Sequence, residues 1–494
     1  MKNFYVTTPI YYVNGDPHIG TLYTALAADI IARYKKLNGK KVFFLTGTDE
    51  HAEKVEEAAK KSGVKTEKYV DLMSKRFKEA FKSMNVSYDR FIRTTDNDHV
   101  KTVLEFYKKV YNKGDIYKGF YEGWYCVSCE TFWTEKELKD CKCPDCGKSV
   151  KMLKEETYFF KQSKYQKEII KHIRDNPDFI KPKARKNEIL SFLKQPLRDL
   201  SITRTTFKFG IPVPGDEKHV LYVWFDALIN YLTAAGYPGK KYTNLWPANF
   251  QLMGKEIIRF HCITWPAMLL SAGVELPETI FAHGWWTVEG KKMSKSVGNV
   301  VHPAEFCRKH KVPVDTMRYF LFRQMPFGSD GDFSEAQFIE RVNNELASEL
   351  GNLVSRSIVL IDKYSNSEVP AGIADVKLKN KYAQMLKNYH SEMNKLDYYN
   401  ALNTVFKFVH LVNKYISDKE PWKLSDGGEL HNVLFTLAQC INAVSCLIYP
   451  FMPETSEEID TQLGKGKGYN KNFDNIKRNV KIKKGKILFP RISR

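Results

Sequence analysis

The sequence predicts an α/β protein in which a parallel β-sheet is split by a cysteine-bearing insertion and followed by an all-α helix bundle. Three observations carry that prediction. Strand-like and helix-like segments alternate from residue 4 onward. Five of the nine cysteines crowd into Cys126 to Cys146 and interrupt the alternation. From about Ser334 to Asp460 the pattern turns to long helical segments, as a bundle requires.

Taken in order, Phe4 to Tyr12 is rich in β-branched and aromatic residues, and Asn14-Gly15-Asp16-Pro17 is turn chemistry. Leu22, Leu26, Ile30, Tyr34 and Leu37 then form a helical stripe ended by Gly39. A second strand, Val42 to Leu45, runs into Thr46-Gly47-Thr48-Asp49-Glu50-His51 and a helix rich in Glu, Ala and Lys. This is the βαβ pattern of a Rossmann-like sheet, whose ligands sit at strand carboxyl ends and helix N-termini, where His18, Gly20, Thr21 and Asp49 fall. The apolar segment Val220 to Phe225 is read as the resumption of strands. Phe250 to Lys255 and Thr279 to Gly284 are read as buried strands ended by glycine.

The expected organisation is therefore a first half of the sheet domain (1–114), an insertion (115–219), a second half (220–285), a lysine-rich loop with its connector (286–333), a helical domain (334–464) and a basic C-terminal tail (465–494). That tail carries eleven Lys/Arg and one Asp, and suits either an exposed arm or a strand packed back through Ile487-Leu488-Phe489. No internal repeat is visible.

A net charge of +20 at 494 residues suits a polyanionic partner, and 43% apolar content suits large folded cores. No charged and apolar leader precedes Phe4, which leads us to expect a cytoplasmic protein. The apolar stretch Val433 to Met452 is interrupted by Gln439, Asn442, Ser445 and Pro450, the composition of a bundle helix, so no membrane partner is expected.

Cys126-x2-Cys129, thirteen intervening residues, then Cys143-x2-Cys146 is the spacing of two knuckles sharing one tetrahedral zinc. Four thiolates leave no open position, so one structural Zn2+ per chain is expected. Cys141 is left over as a possible competitor. Far downstream, Lys292-Met293-Ser294-Lys295-Ser296 sets two ammonium groups three residues apart in a loop closed by Gly298, a clamp suited to polyphosphate. Upstream, Pro17-His18-Ile19-Gly20 lies on the first strand-to-helix turn, where an imidazole can donate to phosphate and a glycine admits close approach.

The paired His-Ile-Gly and Lys-Met-Ser-Lys-Ser segments resemble the two signatures of class I aminoacyl-tRNA synthetases. The wider sequence resembles the methionyl-tRNA synthetase family: Thr8 to Asn14, Leu45 to His51, Tyr222 to Ala227, Phe260-His261 with Trp265-Pro266-Ala267, and Leu488 to Ile492 all match in order, over essentially the whole chain. Two positions depart from the family pattern: Thr21 replaces the second signature histidine, and Ala52 stands where glycine is usual. Threonine can still donate one hydrogen bond, but it carries no charge.

The resemblance implies a methionine–tRNA ligase that activates methionine with ATP to methionyl-adenylate and transfers it to the 3′-terminal ribose of tRNA(Met) for protein synthesis. It implies His18, Lys292 and Lys295 as catalytic groups, and His18, Gly20, Thr21, Gly284, Lys292, Met293 and Lys295 as the ATP site, with Mg2+ accompanying ATP. It implies a methionine pocket of Ile10, Tyr12, Asp49, Trp224, Ala227, Leu228, Tyr231 and His261. Trp224 and Tyr231 also read as one helical face at i and i+7, a spacing that ordinary core packing satisfies equally well. The anticodon readers implied are Asn352, Arg356 and Trp422. A monomer is expected. The alternatives are a class I synthetase for another amino acid, disfavoured by the short insertion and the closed cysteine set, and a noncatalytic tRNA-binding paralogue, supported only by Thr21.

Overall fold

The computed structural model describes residues 3–493 apart from 129–130, 134, 294–298, 426, 466–472 and 474–475, and apart from the side chains of residues 131, 132, 136, 153 and 292. The chain forms two compact units: residues 1–17, 41–80 and 87–283, and residues 18–40, 81–86 and 284–494.

The first unit is built on a six-stranded, wholly parallel sheet. Strand β1 (Phe4–Tyr12), β2 (Val42–Asp49) and β3 (Arg90–Arg93) form one side of it, in the order β3-β2-β1. Phe250–Gly254, Ile280–His283 and Ile180–Lys181 continue it beyond β1. The strand order reverses beside β1, which makes the carboxyl ends of β1, β2 and Phe250–Gly254 the place where such sheets take ligands. Pro9, which has no N–H to give the ladder, lies where the register of β1 on β2 shifts, and pairing resumes through Ile10↔Gly47 to Tyr12↔Asp49. Gly47 is obligatory there, because a Cβ would come within 1.9 Å of the Ile92 carbonyl oxygen.

Two expectations are corrected. Val220 to Phe225 does not resume the parallel sheet. Val220 and Leu221 end an antiparallel strand (Asp216–Leu221) in a separate three-stranded sheet, and Val223–Ala227 is helix. A short buried apolar run carries no period that separates strand from helix. Conversely, Ile180–Lys181, within the stretch read as insertion, returns to the edge of the main sheet. The rest of that stretch is dominated by a long antiparallel ribbon, Ile116–Cys126 against Lys151–Phe160, paired from Ile116↔Phe160 to Tyr125↔Lys151. The cysteine segment caps its far end.

In the second unit, helix α1 (Ile19–Leu37) buries nearly all of its length. Arg318, itself fully buried, donates to Asp29 of α1 (2.6 Å) and to the carbonyls of Met84 (2.9 Å), Phe451 (2.7 Å) and Pro450 (3.0 Å), so one guanidinium joins four chain segments. The bundle follows, from Glu335–Arg341 to Pro453–Gln462. Its apolar helix Gly428–Ile448 is long enough to cross a membrane by composition, yet 89% of its apolar window is buried, as in a core helix. Of the two expectations for the C-terminal segment, its described residues follow the packed one: Phe489 is buried, and Ile492 exchanges backbone hydrogen bonds with the Asn343 side chain (2.9 and 3.0 Å). Ile487-Leu488-Phe489 forms no strand, however, and Ile487 is exposed.

Candidate active site and tRNA-reading face

In the first unit, Tyr12 and Asp49 are register partners at the carboxyl ends of β1 and β2. Asp49 is buried, whereas Ile10 and Tyr12 are partly open. Trp224 and Ala227 lie on the five-residue helix Val223–Ala227, Leu228 follows it, and Tyr231 lies on the next helix, Asn230–Ala235. The single helical face expected for Trp224 and Tyr231 is therefore two short helices. All four of these side chains are buried. Trp224 stacks on Phe260 with centroids 3.9 Å apart and planes within 7°, and its buried indole N–H has no hydrogen-bond partner among the described residues. Phe260 was not singled out from the sequence, although it precedes His261 in a motif that was.

His261 is fully buried. Its Nδ1–H donates to the Ile257 carbonyl oxygen (3.0 Å), so Nε2 accepts from the Tyr231 hydroxyl (2.8 Å). Burial lowers the imidazole pKa from 6.5 to about 4, which keeps the ring neutral at physiological pH. These candidate residues supply a carboxylate, aromatic faces and a neutral imidazole, chemistry suited to a cationic group attached to an apolar side chain.

The phosphate-binding candidates His18, Gly20, Thr21, Gly284 and Met293 belong to the second unit. His18 caps α1, with Nδ1 accepting from the Gly20 N–H (3.1 Å), which leaves the ring proton on Nε2 as a donor. A Cβ on Gly20 would lie 3.0 Å from the His18 ring, so the glycine serves the cap as well as any ligand. That same point lies 3.6 Å from Met293 Cε, and Ile19 N–H donates to Val301 O (3.0 Å); these contacts bring both flanks of the lysine loop to the start of α1. Gly284 is held against backbone, where a Cβ would meet Ser329 O at 2.3 Å. Trp286–Val288 and Lys291–Lys292 form a hairpin turned through Glu289 and Gly290, both at positive φ, the backbone of a tight two-residue turn. Thr21 is partly exposed on the first turn of α1. The Lys292 side chain and all of Lys295 lie outside the described residues.

Cys126, Cys143 and Cys146 gather with their sulfurs within 4.8 Å of one another, and Cys126 Sγ lies 3.5 Å from Cys146 Sγ; together they could bind a metal ion. Cys129 lies outside the described residues. Cys141 is exposed and stands apart from the cluster. Asn352 and Arg356 share the helix Asn352–Tyr364 at i and i+4, with Asn352 exposed. Trp422 sits in the turn Pro421–Lys423, 46% exposed.

Comparison with known proteins matches residues 4–152 and 135–358 to the family described as tRNA synthetases class I (M), and residues 375–479 to the anticodon-binding domain of tRNA ligase. The methionine–tRNA ligase of Clostridium tetani is 48% identical over 99% of this chain and 79% of its own length; that of Thermotoga maritima is 45% identical over 99% and 80%. Among solved structures, Mycobacterium tuberculosis methionyl-tRNA synthetase in complex with methionyl-adenylate superposes with a TM-score of 0.95 at 39% identity, covering 99% of this chain and 100% of that one. Matches to the class I synthetase family over residues 4–152 and 135–358, joined in sequence to an anticodon-binding domain, define a class I aminoacyl-tRNA synthetase. Identity extending over nearly the whole length makes the assignment finer: the chain belongs to the methionyl-tRNA synthetases, and its activity is that of a methionine–tRNA ligase.

Proposed function

We propose that the chain performs two-step aminoacylation with the residues named above. Methionine binds with its α-ammonium on Asp49 and its thioether against Trp224, Ala227, Leu228 and Tyr231, with Ile10 and Tyr12 at the mouth and His261 supplying a neutral, fixed tip. The methionine carboxylate attacks the α-phosphorus of ATP in line; pyrophosphate leaves and methionyl-adenylate forms. The 2′-hydroxyl of the tRNA terminal ribose then attacks the acyl carbonyl, and AMP departs. No protein nucleophile is needed. His18 Nε2–H, the Lys292 and Lys295 ammonium groups and the Thr21 hydroxyl act by stabilising charge that grows on phosphate, while Gly20, Gly284 and Met293 shape the nucleotide's seat. ATP enters with Mg2+ on its phosphates.

Cys126, Cys129, Cys143 and Cys146 hold one structural Zn2+; a gathered set of thiols with two buried members is the donor chemistry that ion selects. These four thiolates would hold the ion, which would supply a structural cross-link within the insertion proposed to meet the acceptor end of tRNA(Met). Asn352 and Arg356 read anticodon base edges, and Trp422 stacks on an unpaired base. The protein works as a cytoplasmic monomer. The observation that carries the activation reading is the buried Asp49 in register with Tyr12, at the carboxyl ends of neighbouring strands where the sheet order reverses. ATP–pyrophosphate exchange measured with each amino acid separately tests it: exchange should depend on methionine, and exchange that depends on another amino acid would overturn the pocket.

A further inference from the structure

Asp226 lies between two pocket residues in sequence, yet the assignments above give it no task. Its carboxylate is fully buried, and each oxygen is taken by a different imidazole: Oδ2 accepts from His51 Nδ1 (2.8 Å) and Oδ1 from His99 Nε2 (2.7 Å). Burial alone would raise its pKa, but the charge and hydrogen bonds of His51 and His99 bring it down to about 2, so it is an anion at any working pH. His51 stands two residues beyond Asp49 at the end of β2. His99, on the helix Asn97–Asn112, turns its other nitrogen to the Thr233 hydroxyl (3.2 Å), on the helix that carries Tyr231.

Asp226 thus joins three elements of the candidate methionine pocket in this unit: the end of the strand bearing Asp49, through His51, the helix bearing Trp224 and Ala227, and, through His99, the helix bearing Tyr231. The helix Val223–Ala227 needs such an anchor. It is five residues long, far below the length at which a helix holds its own shape, and it has no side-chain cap at its start. A carboxylate that only accepts, set between two ring N–H donors, is a rigid fork; an amide in its place would oppose a donor to a donor unless one ring nitrogen gave up its proton.

We propose that Asp226 is a positioning residue for methionine: with His51 and His99 it fixes the helix of Trp224 and Ala227 relative to Asp49, holding the ammonium partner and the side-chain wall in one register. The proposal rests on the methionine-pocket reading above. It is tested by tRNA-independent ATP–pyrophosphate exchange with His99→Ala, His99→Gln and Thr233→Val, read alongside Asp49→Asn and with unfolding temperatures recorded. His99→Ala, which strips one hydrogen bond from a buried charge, should raise the methionine KM about tenfold and leave the ATP KM within about twofold. His99→Gln, whose amide can donate to Asp226, should return it to within about threefold of wild type, and the near-isosteric Thr233→Val should raise it about twofold to threefold. An unchanged methionine KM in His99→Ala, methionine and ATP KM rising together, or glutamine rescuing no better than alanine at equal unfolding temperature would overturn the proposal and leave the network purely structural. Should His99→Ala fail to fold, an unchanged methionine KM in Thr233→Val overturns it. If Asp49→Asn also leaves the methionine KM unchanged, the pocket reading itself fails; if only Asp49→Asn raises it, the positioning role alone fails.

Discussion

The proposed methionine pocket and the proposed anticodon face would recognise their ligands by opposite means. In the pocket Asp49, Trp224, Tyr231 and His261 are buried, and the ring of His261 is bonded at both nitrogens before any ligand arrives. On the helical domain Asn352 is exposed and Trp422 is nearly half exposed. A ligand with one flexible thioether is distinguished by a preformed, desolvated shape; a nucleic acid of fixed local form brings its own unpaired bases, and the protein need only present edges and a stacking surface. A pocket residue should therefore govern methionine binding without tRNA, and an anticodon residue should matter only when tRNA is present.

The largest effect is expected at Asp49. Asp49→Asn removes the one charge assigned to the α-ammonium and should raise the methionine KM in exchange about a hundredfold, leaving the ATP KM little altered. Next, Trp422→Ala removes a stacking surface that is typically worth about 1–3 kcal/mol per base, so aminoacylation kcat/KM for tRNA should fall about tenfold or more with exchange unchanged. Loss of exchange in that variant would erase the distinction between the two regions. Cys143→Ser should reduce bound zinc well below about one ion per chain by metal analysis and lower transfer to tRNA more than methionine activation.

A pH experiment sharpens the contrast from the pocket side. The folded His261 has a pKa near 4 against 6.5 when exposed. Below pH 6.5 the unfolded chain takes up a proton that the buried ring refuses, so the stability this group contributes is present above about pH 6.5 and is lost as pH falls toward 4, on the order of 3 kcal/mol across that window. Denaturant unfolding of the wild type and His261→Gln should converge as pH is lowered through that range; parallel curves would contradict the assignment. The smallest effect is expected at the signature departure. Thr21→His should hold or modestly raise kcat for activation, and a fall would show that the threonine is fitted to its site rather than tolerated.

Much of this was legible in the sequence. β1 runs from Phe4 to Tyr12 as its composition indicates, the cysteine spacing brings three sulfurs together, and the two glycine-ended apolar runs are parallel strands. What escaped was set by distance along the chain or by the shortness of a segment. Val223–Phe225 reads as strand because three apolar residues have no period, and Ile180–Lys181 reads as insertion because a two-residue edge strand has almost no pattern. Asp226 meets imidazoles 175 and 127 residues away, a pairing that no local window contains.

The most direct test is a paired measurement of methionine-dependent ATP–pyrophosphate exchange and of tRNA aminoacylation on Asp49→Asn and Trp422→Ala. The account predicts that Asp49→Asn loses both at limiting methionine, while Trp422→Ala keeps wild-type exchange and loses only aminoacylation. Wild-type methionine KM in Asp49→Asn, or exchange lost in Trp422→Ala, would contradict it.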